Sequence, residues 1–221
     1  MKEYPILFNG QMIQATLDDR KTQTRRLNRL KHVNEHADDY YGRDYMGKGI
    51  WRLYGHTYVS NIKCPYRRGD RLYVKESHYR WGTWIKNGLT KKTQKQKWRF
   101  APLAPNLNDV FFNDNLPDYI RNVLRPNTYR KEGWYKRSPL FLPKKFARIW
   151  LEVVSVRFER VQDISLEDIR KEGLSFPAEM DGSIMRTEFK QLWDSINGKR
   201  PGCSWVNNLW VWVVEFRRIK P

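Results

Sequence analysis

From Arg20 to Arg26 the chain reads Arg-Lys-Thr-Gln-Thr-Arg-Arg, which places two hydroxyls, one amine and three guanidinium groups within seven residues. A threonine hydroxyl is a poor nucleophile near neutral pH and needs an adjacent base. Lys21 can be that base if burial or a neighbouring cation lowers its pKa. Arg20, Arg25 and Arg26 are the cations at hand. The same run also reads, without any chemistry, as an edge strand with a solvated basic face. His32, His36, His56 and His78 add imidazoles, but no nearby cysteine or carboxylate pattern matches a zinc signature, so no metal and no other cofactor is expected. Cys64, ahead of Pro65, reads as a buried or turn residue rather than a nucleophile. Tyr66, Arg67 and Arg68 beside it are candidates to line a pocket.

The elements that must position these groups follow from apolar spacing. Residues 6–8 read as a short strand. Met12, Ile13, Thr16 and Leu17 recur at helical spacing and predict a short helix over 11–18, followed by a strand over 22–27. Residues 28–50 are polar and rich in Gly, Tyr and Asp, the composition of a long loop. Residues 65–70 read as a turn, 71–75 as an alternating strand, and 86–97 as an exposed basic hairpin tip or loop. Pro and Asn break up residues 101–145, leaving one short helix near 118–124, the pattern of an insertion or lid. Val154, Val156 and Phe158 alternate with Ser155, Arg157 and Glu159, as in a half-buried strand.

Ser165-Leu166-Glu167-Asp168 has the form of a capping box that opens a helix, and Gly173 is placed to close it. Met185, Phe189, Leu192, Trp193 and Ile196 mark one face of a second helix, ending at Asn197-Gly198. Residues 209–217 are apolar on both faces and predict a central strand. Trp205, Trp210 and Trp212 belong mainly to its core. Mixed strands and helices of this kind predict an α+β domain built on a small curved sheet or barrel.

Composition narrows the function classes. The 221 residues are 40% hydrophobic and 14% aromatic, too apolar for a disordered chain and enough for a real core. No run approaches the 18 apolar residues of a membrane span, and the start has no signal-peptide h-region. Two cysteines are too few for a disulfide framework. A cytoplasmic protein with no membrane contact is expected. The formal charge is +18, with 42 basic and 24 acidic side chains. Residues 51–146 hold 21 basic and 6 acidic groups, whereas 1–50 hold 9 and 7 and 147–221 hold 12 and 11. Aromatic residues interleave with the cations of the middle segment, which suits RNA or single-stranded DNA. The plainer alternative is a solvated basic face over an ordinary aromatic core.

Four blocks, in order, carry a family resemblance. Residues 17–26, Leu-Asp-Asp-Arg-Lys-Thr-Gln-Thr-Arg-Arg, resemble the Gly/Asp-Arg-Lys-Thr-x-Thr-x-Arg segment of ASCH domains, a branch of the PUA-like superfamily. Arg68-Gly69-Asp70-Arg71-Leu72 is similar to the family's Gly-Asp turn and strand. Residues 164–174 are similar to its helix ending in Glu, and Val211-Trp212-Val213-Val214-Glu215-Phe216 to its closing strand. The whole also resembles the longer ASCH-like proteins of phages and prophages. The resemblance implies a PUA-like β-barrel with flanking helices and a large central insertion, one domain over 1–221 elaborated at about 28–60 and 80–145.

Small bacterial members of the family, the N4-acetylcytidine amidohydrolases, use a Lys, a Thr and a Glu, which match Lys21, Thr24 and Glu172. The implied activity is removal of an acyl group from N4-acylated cytosine nucleosides, with Arg20, Arg26, Tyr66 and Arg68 contacting the substrate. Either Thr24 attacks with Lys21 as base, or Glu172 activates water while Lys21 polarises the carbonyl. Glu172 also reads as no more than an exposed last-turn residue before a glycine cap. The main alternative function is a non-catalytic module that binds RNA or a modified base. A ribonuclease ranks last, since neither paired histidines nor a metal site supports it.

Overall fold

The computed structural model describes residues 1–57, 59–104, 106, 108–120, 123–124 and 131–220. In chain order the elements are β1 (Glu3–Leu7), α1 (Gly10–Leu17), β2 (Gln23–Arg26), α2 (Lys31–Asn34), β3 (Tyr40–Tyr45), β4 (Ile50–Gly55), β5 (Val59–Lys63) and β6 (Arg71–Lys75). There follow β7 (His78–Leu89), β8 (Gln96–Pro102), β9 (Phe111–Phe112), β10 (Gly133–Arg137), β11 (Trp150–Arg160), α3 (Leu166–Lys171), α4 (Gly182–Asn197) and β12 (Trp210–Ile219). The class is α+β and rich in sheet. Two compact units divide the chain: Met1–Tyr4 with Gln11–Leu72 and Ile149–Pro221, and Pro5–Gly10 with Tyr73–Arg148. The strand orders are β1-β6-β11-β12-β2, β3-β4-β5, and β10-β7-β8 with β9 also on β7.

In the first unit β12 is the interior strand expected from its two apolar faces, held antiparallel between β11 and β2. Val211 and Val213 point to Ile169 of α3 and Met185, Phe189 and Trp193 of α4. Trp210 and Trp212 point the other way and pack on Phe158, with ring centroids at 4.9 and 4.7 Å. Burying such a side chain contributes about 1.5–3 kcal/mol, so this double-faced strand is the backbone of the unit's core. The alternation expected through Val154 breaks. The β11–β12 register shifts between Val153 and Ser155, and this bulge turns Val154 out to solvent.

Residues 28–50 correct the loop expectation: they form α2, a 3-10 turn over Ala37–Asp39 and β3, which pairs with β4. Distant partners order them. The Asn34 side chain exchanges two bonds with the Trp210 backbone, at 3.0 and 2.9 Å. Arg160 donates to the carbonyls of Ala37 and Tyr40 and lies over the Trp210 ring. Leu30 and Val33 are fully buried. None of this shows in local composition.

In the second unit β7 and β8 form a ribbon whose exposed tip, residues 90–95, fits the expected basic hairpin. β10 was hidden in the Pro- and Asn-rich stretch. It pairs with β7 from Gly133↔Gly82 to Arg137↔His78. The short helix expected near 118–124 is absent over 118–120, which form a turn, and residues 121–122 lie outside the described set. Much of the basic and aromatic interleaving is spent inside this unit. The Arg137 guanidinium lies 4.6, 4.4 and 4.8 Å from the Trp84, Phe100 and Phe141 rings. Arg148 lies over Phe112 while holding both oxygens of Glu76. His78 is fully buried, with Nδ1 against the Glu76 carbonyl, and burial pushes its pKa down to about 4.

Candidate functional site

Lys21 arrives at its position through local geometry. The amides of Arg20 and Lys21 both donate to the Ala15 carbonyl at the end of α1, and Asp19 turns the chain with φ of 56°. Lys21 then bridges to Glu172, and the Thr22 amide donates to the Lys171 carbonyl. On the other side, Ser165 Oγ accepts the Asp168 amide at 3.1 Å and starts α3. Gly173 ends the helix with φ of 97°. A Cβ there would lie 2.8 Å from that of Ala15 and 3.0 Å from that of Lys21. The helix end therefore packs directly against the Ala15 and Lys21 side chains with a left-handed backbone, which glycine permits.

The resulting contact joins two of the three proposed catalytic residues. Lys21 Nζ donates to Glu172 Oε2 at 2.8 Å and to the Glu172 carbonyl at 2.7 Å. Both side chains are buried, so Glu172 is not the exposed last-turn residue of the plainer alternative. β2 is an edge strand, as that alternative had it, but its Gln23, Thr24 and Arg25 are buried rather than solvated. Burial pulls the Lys21 pKa below the ordinary lysine value. The Glu172 carboxylate opposes the shift, and Arg26 and Arg25 add to it.

Thr24 is buried on β2 opposite Val214 of β12. Neighbours on a strand face opposite ways and alternate residues share a face. Thr24 thus faces away from Arg25 and with Arg26. Arg25 reaches Glu172 Oε1 at 3.0 Å. Arg26 interacts electrostatically with Lys21, Glu172 and Tyr66, but Thr24 lies on the strand face opposite the one through which Arg25 meets Glu172. The structure brings Lys21 and Glu172 together and shows no hydrogen bond from Thr24 to either among the described residues.

Sequence reasoning missed the network around this pair. Arg25 Nη2 also binds Glu159 Oε1 at 2.6 Å and Asp168 Oδ2 at 3.2 Å. Arg157 joins Asp168, Glu159 and Glu215, and donates to Gln23 Oε1 at 3.1 Å. Lys21, Arg25 and Arg157 thus face Glu159, Asp168, Glu172 and Glu215, three cations against four carboxylates. One signal was present: Asp168 sits at the third helical position of the capping box, where an acidic side chain normally reaches back to the cap. Here Ser165 makes its half of the box, while the Asp168 carboxylate goes to two arginines.

The remaining expected residues are divided. Arg20 is exposed, donates to the Gly173 carbonyl at 2.8 Å, and lines a cavity of about 320 Å³ with Glu172, Gly173, Gln11 and Met12. Tyr66 is buried, accepts from Asn28 Nδ2 at 2.8 Å, and has its pKa raised by burial. Arg68 lines a different cavity of about 430 Å³. Burial pushes the Cys64 thiol up to about 12, which fits a structural residue. Among the described residues no group of three or more His, Cys, Asp or Glu side chains is arranged to hold a metal, and no helix is long and apolar enough to cross a membrane. Comparison with family models, curated proteins and solved structures finds no match for this chain.

Proposed function

We propose that the chain is an amidohydrolase that removes the acyl group from N4-acylated cytosine nucleosides, on a PUA-like barrel of the ASCH type. One observation carries the reading: Lys21 Nζ lies 2.8 Å from Glu172 Oε2 in a buried setting that draws the lysine pKa below its ordinary value. In this mechanism Lys21 takes the proton of Thr24 Oγ1 as that oxygen bonds the acyl carbon. The C–N4 bond breaks, and the proton passes through Glu172 to N4, releasing the cytosine nucleoside. Lys21 then deprotonates a water that attacks the acyl-threonine, which frees the carboxylic acid and restores Thr24.

The test is loss of N4-acetylcytidine absorbance with wild-type protein, Lys21→Ala and Glu172→Gln, paired with acid-quench trapping of acylated Thr24. Wild-type turnover that falls about 10²–10⁴-fold in either variant is expected. No spectral change at high protein concentration would sink the enzyme reading, and full activity in Thr24→Ala would remove Thr24 as nucleophile. A second reading, a non-catalytic module for RNA or a modified base, is favoured by the engagement of both Glu172 oxygens by cations. It predicts RNA binding with no turnover.

A further inference from the structure

Lys2, Arg29, Lys63, Arg67 and Arg68 surround the cavity of about 430 Å³ in the first unit, and all five are exposed. None pairs with a carboxylate among the described residues. The one acidic residue in the lining, Asp70, is buried. Its Oδ1 accepts the Lys2 amide at 2.8 Å and its Oδ2 the Arg67 amide at 3.0 Å. That carboxylate is therefore engaged in holding the main chain, with the cations left to face the concavity. Five like charges around one hollow repel one another, and a concave, one-signed lining focuses the field on an anion. Three of the five are arginines, whose planar forks match phosphate oxygens bidentately. Tyr4 adds a ring to the wall, edge-on to Tyr66 at 5.7 Å.

A short run of chain connects this hollow to the buried pair. Arg25 holds Glu172, Arg26 interacts electrostatically with Lys21, Glu172 and Tyr66, Asn28 binds Tyr66, and Arg29 lines the cavity. Four residues of chain span at most about 14 Å, comparable with the reach of a nucleotide or dinucleotide. We propose that the cavity binds phosphate groups of the acylated substrate, so that the substrate is a cytosine nucleotide or a strand containing one, rather than the free nucleoside. The identity of the base rests on the amidohydrolase reading; the phosphate site rests on the cavity alone.

Two measurements separate these claims. The first compares kcat/KM for N4-acetylcytidine with and without a 5′-phosphate. The phosphorylated form should be favoured about tenfold or more, as for one added charge-assisted hydrogen bond. That ratio should fall toward one in Arg67→Ala/Arg68→Ala and stay unchanged in Lys190→Ala, an exposed position on α4. Equal kcat/KM for both forms in the wild type would overturn the proposal. The second is anisotropy of a labelled single-stranded RNA across a salt series. Removing both arginines should lower the slope of log K against log salt by about 1.4; an unchanged slope and affinity would overturn the site. Competition by cytidine 5′-monophosphate supports a mononucleotide site, and competition by RNA alone supports a strand site. Inorganic phosphate competing as well as either would overturn the nucleotide assignment. If neither acylated compound turns over but RNA binding still depends on Arg67 and Arg68, the amidohydrolase reading fails and the phosphate site stands.

Discussion

Lys21 shows how position changes the chemistry of a residue. On the surface its amine would be an ammonium at any physiological pH, useful only as a charge. Enclosed beside Glu172, with Arg25 and Arg26 close by, its pKa is drawn below the ordinary lysine value, first by burial and then by the arginines. If the neutral amine is the base, kcat/KM must rise with pH and level off above this lowered pKa. A pH profile of N4-acetylcytidine hydrolysis checks this. An activity that instead falls as pH rises through the same range would mean that the ammonium form is required. Spacing alone showed Lys21, Thr24 and their arginine neighbours. It did not show which carboxylates would meet them, because Glu159, Asp168 and Glu215 each read locally as ordinary strand or helix-start residues.

At the scale of elements, one junction shapes the site and another sets the pH response of the second unit. The end of α3 lies against Lys21 only because Gly173 has no side chain and adopts a left-handed φ. Gly173→Ala should cost about 1–2 kcal/mol from the backbone alone, with further loss from the contacts to Ala15 and Lys21. Urea denaturation measures the stability, and activity should fall more than stability because Lys21 itself is displaced. The second junction is β7 with β10, where His78 is buried opposite Arg137. Its folded pKa of about 4 lies below the ordinary 6.5, so between these values the unfolded state binds the extra proton. Stability therefore rises as pH rises from about 4 to 6.5, by up to about 3 kcal/mol, and is flat in this respect above. Denaturation midpoints across that range should show the slope in the wild type and lose it in His78→Leu.

Across the whole molecule, the excess charge is uneven in kind as well as in place. The buried and half-buried network around Glu172 carries three cations and four carboxylates inside a chain of formal charge +18. The second unit has 17 basic and 5 acidic residues, yet Arg137 and Arg148 are occupied by rings or Glu76. Among the cations it leaves to solvent are Lys91, Lys92 and Lys95 at the hairpin tip, with Lys86, Lys97, Arg99, Lys136, Lys144 and Lys145 exposed elsewhere in the unit. If the proposed RNA contact uses this tip, replacing the three lysines by alanine lowers the salt slope of RNA binding by about 2. An unchanged slope assigns the contact to other cations.

The elements whose pattern is local were readable from the chain. These are α1 from its apolar spacing, α3 from Ser165 and Gly173, α4 from the Met185–Phe189–Trp193 face, and β12 from its two apolar faces. So was the concentration of charge in the middle of the sequence. Each depends on residues a few positions apart, and backbone periodicity translates that spacing directly into a shared face. Tertiary structure decided the rest. It ordered residues 28–50 through an Asn34–Trp210 contact 176 residues apart in sequence. It turned Val154 out at a bulge, placed arginines among rings, and brought Lys21, Arg25, Glu159, Asp168 and Glu172 into one buried cluster. Lys2, Arg29, Lys63, Arg67 and Arg68 likewise share a cavity only because folding brings separate segments together. Charge interaction depends on distance in space and on burial, and neither can be read until the strands have chosen their neighbours.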